Sequence, residues 1–451
     1  MYRKNESIKN KFVLIEQVII RLIKVIFQIM KKFILLILIS IISLTLFGEE
    51  YENYKPYTTE GKEFWVTFMM NTGGQGNDNV LKFYLYASTR SNKTVTITVT
   101  NPNTGFKNTF SCTKDEVGKI EIPNIEGYLD TEDEKLSRGL KVTSSEPISL
   151  YASNHNNESY DATNILPIDA LSREYVVQTY SYDRQATEFA IVATKDDTHI
   201  FISPSDSIKK DDTWSVSPFS IELDEGEAYL IRGFEPENDL SGTIVCSSQD
   251  IAVFNGGQSA KIPSYAGTDD HIIEQSLPTY MWGKEFVVTN SQVQDFNIVK
   301  ITAMYDNTQI TISDEIDTIL NKTESYTFAL YKSTIDPDNI EITDDITVDN
   351  HIISDAVYIT TRYPVICFSY HTSQDASRDI DKEYRRLSDP SMIFIPPLEQ
   401  SINEISFLMY NINDVKTHHF VNIITKTTNT NLLFLDGGNI SSDFFTVLGI
   451  S

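Results

Sequence analysis

The segment SREYVV, residues 172–177, decides the fold, because near-copies of it recur along the chain. GKEFWV stands at residues 61–66, GKEFVV at 283–288 and INEISF at 402–407. In every copy a proline precedes the glutamate by seven residues, giving the pairs Pro56/Glu63, Pro167/Glu174, Pro278/Glu285 and Pro397/Glu404. Successive copies lie 111, 111 and 119 residues apart. Because this period is the length of a whole domain, we predict a tandem array of similar modules rather than one large enzyme.

Short runs of alternating apolar and polar residues fill the array. In TVTITVT, residues 94–100, the apolar side chains Val95, Ile97 and Val99 fall on one face and the threonines on the other. This period of two is typical of a strand with one buried face. Six or seven such strands per copy predict an all-β fold of tandem β-sandwich-like modules with a repeat of about 111 residues. A β-propeller, with two four-stranded blades per copy, is the alternative.

The repeat sets the expected domain boundaries. We predict a leader at 1–48, β modules at 49–160, 161–269 and 270–388, and a partial fourth module at 389–451. Because the fourth copy ends early, we expect the chain to be a truncated form of a longer protein. The connectors 154–172, 255–283 and 371–403 are rich in Asn, Ser, Gly and Asp, so surface recognition loops are expected there.

Each copy is also expected to close on a pair of strands. In the first copy this pair is GLKVTSSEPISL, residues 139–150, with Pro147 opening the second strand, where a missing amide donor is tolerated.

The first 48 residues have the composition of an export signal. Lys31 and Lys32 precede an apolar run from Phe33 to Phe47, and Gly48 follows. We therefore predict a secreted or cell-surface protein that starts at Met1 or Met30. Its leader is cleaved, or alternatively kept as an N-terminal anchor. No later segment approaches the roughly 20 apolar residues of a membrane-spanning helix, so no membrane insertion is expected after the leader.

Charge and cysteine content limit the partners and the cofactors. The formal net charge of −26 argues against a nucleic-acid partner, because the phosphate backbone is repelled. Cys112, Cys246 and Cys367 are odd in number and far apart, so we expect small buried side chains rather than a disulfide framework or a metal knuckle. The sequence predicts no cofactor.

Asp270, His271 and Glu274 form the strongest polar constellation in the sequence, with Gln275 beside them. Carboxylates and imidazole are metal ligands, which makes the three residues the candidate metal site. The alternative, which the sequence favours, is a buried polar network that fixes the connector to the next module. A second acidic group, Asp336, Asp338, Asp344 and Asp345, lacks the spacing of a calcium loop and is predicted to be a solvated acidic loop.

Aromatic residues are abundant, with 23 Tyr and 24 Phe. In Phe83-Tyr84-Leu85-Tyr86 the alternation requires that some of the rings face outward. Tyrosine suits interfaces with proteins or sugars because it combines a large area with a polar tip. The alternative is ordinary sheet surface, where aromatic residues have high β-propensity.

Several stretches resemble the IgGFc-binding protein N-terminal domain family, extracellular modules of animal mucus proteins and bacterial surface proteins. The resemblance rests on the following segments: GKEFWVTFMMN (61–71), SSEPISLYASN (144–154), DATNILPIDALSREYVVQTY (161–180), EFAIVATKDDTHIFISP (188–204), DHIIEQSLPTYMWGKEFVV (270–288) and DPSMIFIPPLEQSINEISF (389–407). It implies an extracellular, non-catalytic interaction module. Because disulfides are sparse, a bacterial member is expected.

The resemblance also implies a missing disulfide. Members of the family usually carry a pair of cysteines around the D-H-L-x-E-Q element, and Ser259 and Asp269 stand at the matching positions here. A local bridge has been lost as a pair.

The sequence offers no acid, base or nucleophile cluster typical of an active site, so we predict that the chain is not an enzyme. The predicted function is an exported binding or adhesion module for a host or matrix glycoprotein, with mucin and immunoglobulin as candidate partners. A purely structural cell-surface spacer and a carbohydrate-binding protein are the alternatives. The ligand and the oligomeric state are not predicted.

Overall fold

Three β-sheets with the same strand order follow one another along the chain in the computed structural model. The structure describes residues 58–71, 81–156, 159–181, 185–291, 294–336, 350–373, 390–401, 421–425 and 445–449. The chain divides into two units, Met1–Lys55 and Pro56–Ser451, and all the described residues lie in the second. The predicted leader therefore lies outside the described residues. Among those residues, no helix has the length and apolar character needed to cross a membrane.

The first sheet contains seven strands. They are β1 (Glu60–Val66), β2 (Lys82–Ser88), β3 (Val95–Thr100), β4 (Lys107–Cys112), β5 (Gly118–Ile122), β7 (Leu140–His155) and β8 (Tyr160–Ile165). A short helix, α1 (Asn124–Gly127), follows β5. Strand β6 (Lys135–Leu136) comes next in the chain but pairs with the edge of the second sheet.

The second and third sheets repeat this order. The second contains β9 (Ser172–Val176), β10 (Thr187–Ala193), β11 (Thr198–Ser203), β14 (Phe219–Leu223), β15 (Ala228–Arg232), β16 (Ile244–Ala260) and β17 (Asp270–Gln275), with a separate hairpin of β12 (Ile208–Lys210) and β13 (Thr213–Ser215). The third contains β18 (Gly283–Thr289), β19 (Phe296–Ala303), β20 (Thr308–Ile312), β21 (Ile316–Leu320), β22 (Ser325–Tyr331), β23 (His351–Ile353), β24 (Ala356–His371) and β25 (Ser391–Phe394). Strands β26 (Val421–Thr425) and β27 (Phe445–Gly449) form a parallel pair.

One long strand organises each sheet. In the first sheet the amino-terminal half of β7 pairs with β1 and β3, and its carboxy-terminal half pairs with β2 and β8. In the second sheet β16 pairs with the four equivalent strands β9, β10, β11 and β17. In the third sheet β24 pairs with β18, β19, β20 and β25. Each long strand thus belongs to two groups of strands, and the predicted all-β, sandwich-like fold is confirmed.

The same bulge interrupts every long strand. Between Thr143 and Ile148 the pairing with β1 advances five residues on β7 for two on β1, and the same shift separates Cys246 from Ile251 and Thr360 from Val365. At each bulge a hydroxyl donates to the carbonyl two residues on: Ser144 to Glu146 (2.7 Å), Ser247 to Gln249 (2.6 Å) and Thr361 to Tyr363 (2.8 Å). The prediction that each copy closes on a pair of strands is therefore wrong, because this segment of each copy is one long strand with a bulge. A proline in a bulge gives up no ladder hydrogen bond, so Pro147 leaves the strand continuous.

The recurrent proline marks the joint between consecutive sheets. Pro167, Pro278 and Pro397 precede the 3₁₀ turns Ile168–Ala170, Thr279–Met281 and Leu398–Gln400, and Pro56 lies outside the described residues. Pro167 packs so closely on Gly61 that a Cβ there would lie 2.3 Å from the proline Cβ, and Pro397 packs on Gly283 in the same way at 2.2 Å. The turns are also bonded to one another, since the Tyr280 hydroxyl donates to the carbonyl of Ala170 at 2.8 Å. The motif that defines the repeat therefore joins one sheet to the next.

The segments that open three of the copies occupy equivalent places. Glu63 pairs with Thr143, Glu174 with Cys246 and Glu285 with Thr360, always just before the bulge of the long strand. The fourth segment, with Glu404, lies outside the described residues.

The connectors expected to be surface loops contain strands instead, of which β17 is buried. Strand β8 pairs with the first sheet, β17 with the second and β25 with the third, so each closing strand follows the long strand of its own sheet. In β8, Asp161 and Thr163 bond across the joint between sheets, to the backbone of Ile273 and Gln275. The module boundaries at 161, 270 and 389 stay a prediction, and sheet membership would place them at the recurrent prolines.

Candidate functional site

The predicted site residues Asp270, His271 and Glu274 lie on β17, between the first and third sheets. One edge of β17 pairs with β16. Along its other edge, side chains of the first sheet accept its backbone N–H groups: Ser159 Oγ from His271 (2.9 Å), Asp161 Oδ2 from Ile273 (3.0 Å) and Thr163 Oγ1 from Gln275 (2.9 Å). Buried backbone donors need partners, and the polar side chains of β8 supply them.

The side chains of β17 extend the same network. Nε2 of His271 lies 3.4 Å from Nδ2 of Asn154, and the His271 side chain is fully buried. Burial lowers the pKa of His271 to about 4, although backbone contacts with Gly257 and Gln258 act in the opposite direction. A neutral imidazole is therefore expected near pH 7.

Glu274 reaches both neighbouring sheets. Its Oε2 accepts a hydrogen bond from Thr163 Oγ1 at 2.6 Å, and its carboxyl group also accepts one from the backbone of Phe394 in β25. Burial raises the pKa of Glu274 to about 7, and the two hydrogen bonds moderate this rise. Burial likewise raises the pKa of Asp161 well above its usual value. Unpaired buried carboxylates favour the protonated form because the interior solvates charge poorly.

This geometry suits a joint better than a ligand site. Among the described residues, no group of three or more His, Cys, Asp or Glu side chains could hold a metal ion. We propose a structural role for Asp270, His271 and Glu274. His271 bonds to Ser159 beside the first sheet, Glu274 bonds to Thr163 and Phe394 of the first and third sheets, and Asp270 accepts from the backbone of His271. Of the second acidic group only Asp336 is described; Asp338, Asp344 and Asp345 lie outside the described residues.

Ser259 and Asp269 lie together, as the family resemblance implies for a former cysteine pair. The Ser259 hydroxyl donates a hydrogen bond to Oδ2 of Asp269, which links the end of β16 to the start of β17. The described cysteines Cys112, Cys246 and Cys367 are free thiols. A hydrogen bond therefore occupies the position where relatives are expected to carry a bridge.

An ion pair that the sequence analysis missed, between the buried Lys300 and the partly exposed Asp239, joins the second and third sheets. Nζ of Lys300 donates to Asp239 Oδ2 (2.6 Å), to the carbonyl of Thr179 (2.9 Å) and to Ser241 Oγ (3.1 Å). Burial favours the neutral form of Asp239, but the Lys300 charge and the hydrogen bonds hold its pKa below the usual value. The sequence contained one indication of this ion pair, because Lys300 lies within FNIVKITA, a strand whose other residues are buried.

A second missed group lies between the first and second sheets. Glu188 on β10 is fully buried, and its Oε2 lies 3.8 Å from Nε of Arg232. The Arg232 guanidinium also lies 3.8 Å from Glu132 Oε2 and donates to Gln258 Oε1 at 2.7 Å. Burial raises the pKa of Glu188 to about 8, because Arg232 only partly offsets it and Glu132 adds to it.

Comparison with known proteins identifies the family of the chain. The family model described as IgGFc binding protein matches residues 161–450. The human IgGFc-binding protein is 26% identical over 233 residues, which is 51% of this chain and 4% of that relative. The chain thus spans only a small part of the human protein. Since the family model covers more than half of the chain, the chain belongs to the IgGFc-binding protein family.

Proposed function

We propose that this protein is an exported, non-catalytic binding module for an extracellular glycoprotein. Membership of the IgGFc-binding protein family carries the proposal, because the matched residues 161–450 include two of the three described sheets. The name of the human relative refers to binding of immunoglobulin Fc. Immunoglobulins and mucins are therefore the first partners to test.

The fold fits a binding role. Sheets that are bonded to one another form a scaffold, and scaffolds of this kind present their surfaces or loops to partners. Two of the polar residues with strongly shifted pKa values, Glu188 and His271, are fully buried between sheets, so neither side chain is open to a substrate. The acidic net charge of −26 disfavours nucleic acid.

Two alternatives remain distinguishable by experiment. A structural spacer would share the array of sheets and bind no partner. A carbohydrate-binding protein would bind free glycans as well as glycoproteins. Export itself follows from the apolar leader and is tested by locating the protein in fractionated cells.

A binding array tests the proposal. The purified protein is applied to immobilised immunoglobulins, mucins and free glycans, and in parallel to esterase, protease and glycosidase substrates. We expect saturable binding to at least one glycoprotein and no turnover. Absence of binding to every ligand would favour the spacer, and turnover that Ser259→Ala abolishes would overturn the non-catalytic assignment.

A further inference from the structure

The hairpin of β12 and β13 has no counterpart in the equivalent connections of the other two sheets. In the first sheet β3 leads to its partner β4 through residues 101–106, and in the third β20 leads to β21 through residues 313–315. The second sheet connects the equivalent pair, β11 and β14, through residues 204–218, which contain the hairpin. The middle repeat therefore carries an insertion that the other two do without.

The back of this hairpin is anchored on two sides. Ile208 of β12 is fully buried in the core of the second sheet. Nζ of Lys210 donates to Asp133 Oδ1 at 2.7 Å, and the backbone N–H of Asp211 donates to Oδ2 of the same carboxylate at 2.8 Å. Asp133 belongs to the segment that leads from the first sheet into β6. The insertion is thus fixed to the core and to the neighbouring module.

The outer side of the hairpin presents apolar surface to solvent. Trp214 of β13 is 59% exposed, and Val216, which follows the strand on the same side, is 48% exposed. The chain has three tryptophans, and the other two, Trp65 and Trp282, are buried. Tryptophan is enriched among the residues that dominate binding energy, because its large ring desolvates at a small cost in side-chain entropy.

Several other rings of the chain already carry a cation. The pairs, with the distance from the cation to the ring centre, are Lys141 over Trp65 (5.3 Å), Lys210 over Phe219 (5.4 Å) and Arg362 over Tyr363 (5.1 Å). Among the residues that the structure describes, no such contact involves Trp214. The indole, which is the strongest cation–π acceptor of the aromatic side chains, is therefore available to a cation from a partner.

The lysine that pairs with Trp214 across the hairpin is held by carboxylates. Lys209 lies opposite Trp214 in the register of β12 and β13. Its Nζ donates to Glu132 Oε1 at 2.5 Å and lies 3.8 Å from Oδ1 of Asp212. Asp212 stands at the turn of the hairpin, and its side chain is 99% exposed. An acidic group thus lies beside the residue that faces the indole.

The charges around the hairpin leave an excess of negative charge. Four carboxylates, those of Glu132, Asp133, Asp211 and Asp212, are paired with only three cations, Lys209, Lys210 and Arg232. The whole chain carries a formal charge of −26. An exposed indole beside surplus carboxylates complements a cationic group and repels an anionic one.

We propose that the outer side of this hairpin binds an arginine- or lysine-bearing segment of a protein partner. The cationic group lies on the Trp214 ring near the carboxylates of Asp211 and Asp212, and its aliphatic stem packs on Val216. This inference rests on the proposed function and specifies that basic polypeptide, rather than an acidic glycan, is the part of the glycoprotein that is recognised. Binding is expected to weaken as ionic strength rises, because the charges are exposed.

Titration of hairpin variants with charged peptides tests the proposal. Hexaarginine, hexalysine and hexaglutamate are titrated into the purified protein by calorimetry, at low and at physiological salt. The test variants are Trp214→Ala and Asp212→Asn. Phe201→Ala, which removes a ring that is 45% exposed on β11, is the control for the first. Asp314→Asn, at an exposed turn of the third sheet with a similar positive φ (60° against 57°), is the control for the second.

Two further measurements complete the test. Acrylamide quenching of tryptophan fluorescence reports on Trp214, because the other two tryptophans are buried. Thermal unfolding checks that every variant is folded. The same variants are also applied to the immobilised immunoglobulins and mucins, which separates the peptide site from the proposed function.

We expect hexaarginine to bind, to shield the exposed tryptophan from acrylamide, and to bind more tightly than hexalysine, since the planar guanidinium stacks on rings. Hexaglutamate should not bind. Trp214→Ala is expected to weaken hexaarginine binding about fivefold to tenfold and Asp212→Asn about threefold, while both controls stay within about 1.5-fold. Trp214→Ala should weaken binding of the glycoprotein partner as well.

Four results would overturn the inference. Hexaarginine that does not bind, or that binds Trp214→Ala as tightly as the parent, would show that the hairpin is not a cation site. Equal binding of hexaglutamate would remove the charge preference. Glycoprotein binding that Trp214→Ala leaves unchanged would place the partner's site elsewhere, although the proposed function would stand. Conversely, hexaarginine binding that requires Trp214, without binding to any glycoprotein, would support the cation site and refute the proposed function.

Discussion

At the scale of single residues, close backbone approach distinguishes neighbours that look alike in the sequence. Gly256 and Gly257 are adjacent on β16, opposite Ile273 and Ile272 of β17. A Cβ on Gly256 would lie 1.9 Å from the carbonyl oxygen of Ile272, whereas one on Gly257 would meet nothing closer than 3.7 Å. Glycine is therefore required at Gly256 because strand β17 occupies the space of a side chain.

We predict that Gly256→Ala destabilises the protein and that Gly257→Ala does not. The first change forces two paired strands apart, and overpacking of this kind costs about 1–3 kcal/mol or more. The second should stay within about 0.5 kcal/mol of the parent. Urea unfolding midpoints of the two variants give the comparison, and equal midpoints would mean that β17 does not lie where described.

The pKa of Glu188 predicts a pH dependence of stability. Its folded value of about 8 lies above the ordinary value of 4.5, so the folded state holds the proton more tightly than the unfolded chain. The resulting stabilisation is complete below the unfolded pKa and is lost as the pH rises through the folded value. At high pH, Glu188 therefore destabilises the fold.

Glu188→Gln should remove this dependence. We expect little difference from the parent at pH 4 and a variant that is more stable by an amount on the order of 3 kcal/mol at pH 8.5, where the parent carries a buried charge. The exposed Glu121→Gln serves as the control. A Glu188→Gln variant whose stability follows the parent at every pH would show that the carboxyl group is solvated.

At the scale of elements, polar bonds across the joints hold neighbouring sheets in register. Lys300 on β19 bonds to three groups of the second sheet, and the partly exposed Asp239 is its counter-ion. Removing one partner of a buried pair leaves the other uncompensated, which costs more than the pair itself contributes.

Lys300→Met is expected to destabilise the protein by roughly 2–3 kcal/mol, below the full value for a buried pair because Asp239 is partly exposed. Asp239→Asn should restore part of this loss in the double variant. Chemical unfolding of the two single variants and the double variant measures the coupling. Additive effects would contradict a direct ion pair across the joint.

The contact between Ser259 and Asp269 predicts that the bridge implied by the family can be restored. In the double variant Ser259→Cys/Asp269→Cys a disulfide should form on oxidation, because the two side chains already touch. Closing a loop of about ten residues is expected to add roughly 2–3 kcal/mol. Unfolding with and without reductant gives this gain, and each single cysteine variant is a control. Two free thiols after oxidation would show that the positions do not match the family's pair.

At the scale of the whole molecule, the repeat could be predicted from the sequence, whereas the contacts that join one sheet to the next could not. The strands, the period and the equivalent places of Glu63, Glu174 and Glu285 could be predicted, because local alternation and a fixed spacing specify them. The bonds of His271 with Ser159 and of Lys300 with Asp239 could not, since each links residues far apart in the chain whose contact depends on how sheets stack.

The stacking of sheets through their closing strands is the central claim, and hydrogen exchange of β17 tests it most directly. The amides of His271, Ile273 and Gln275 bond to Ser159, Asp161 and Thr163 of the first sheet, so opening β17 requires separating the sheets. We predict that residues 270–275 exchange as slowly as the long strand Ile244–Ala260. In a Thr163→Val variant, protection should fall in β17 and remain in β20 of the third sheet. Fast exchange of residues 270–275 in the folded parent protein, as in an exposed connector, would contradict the account.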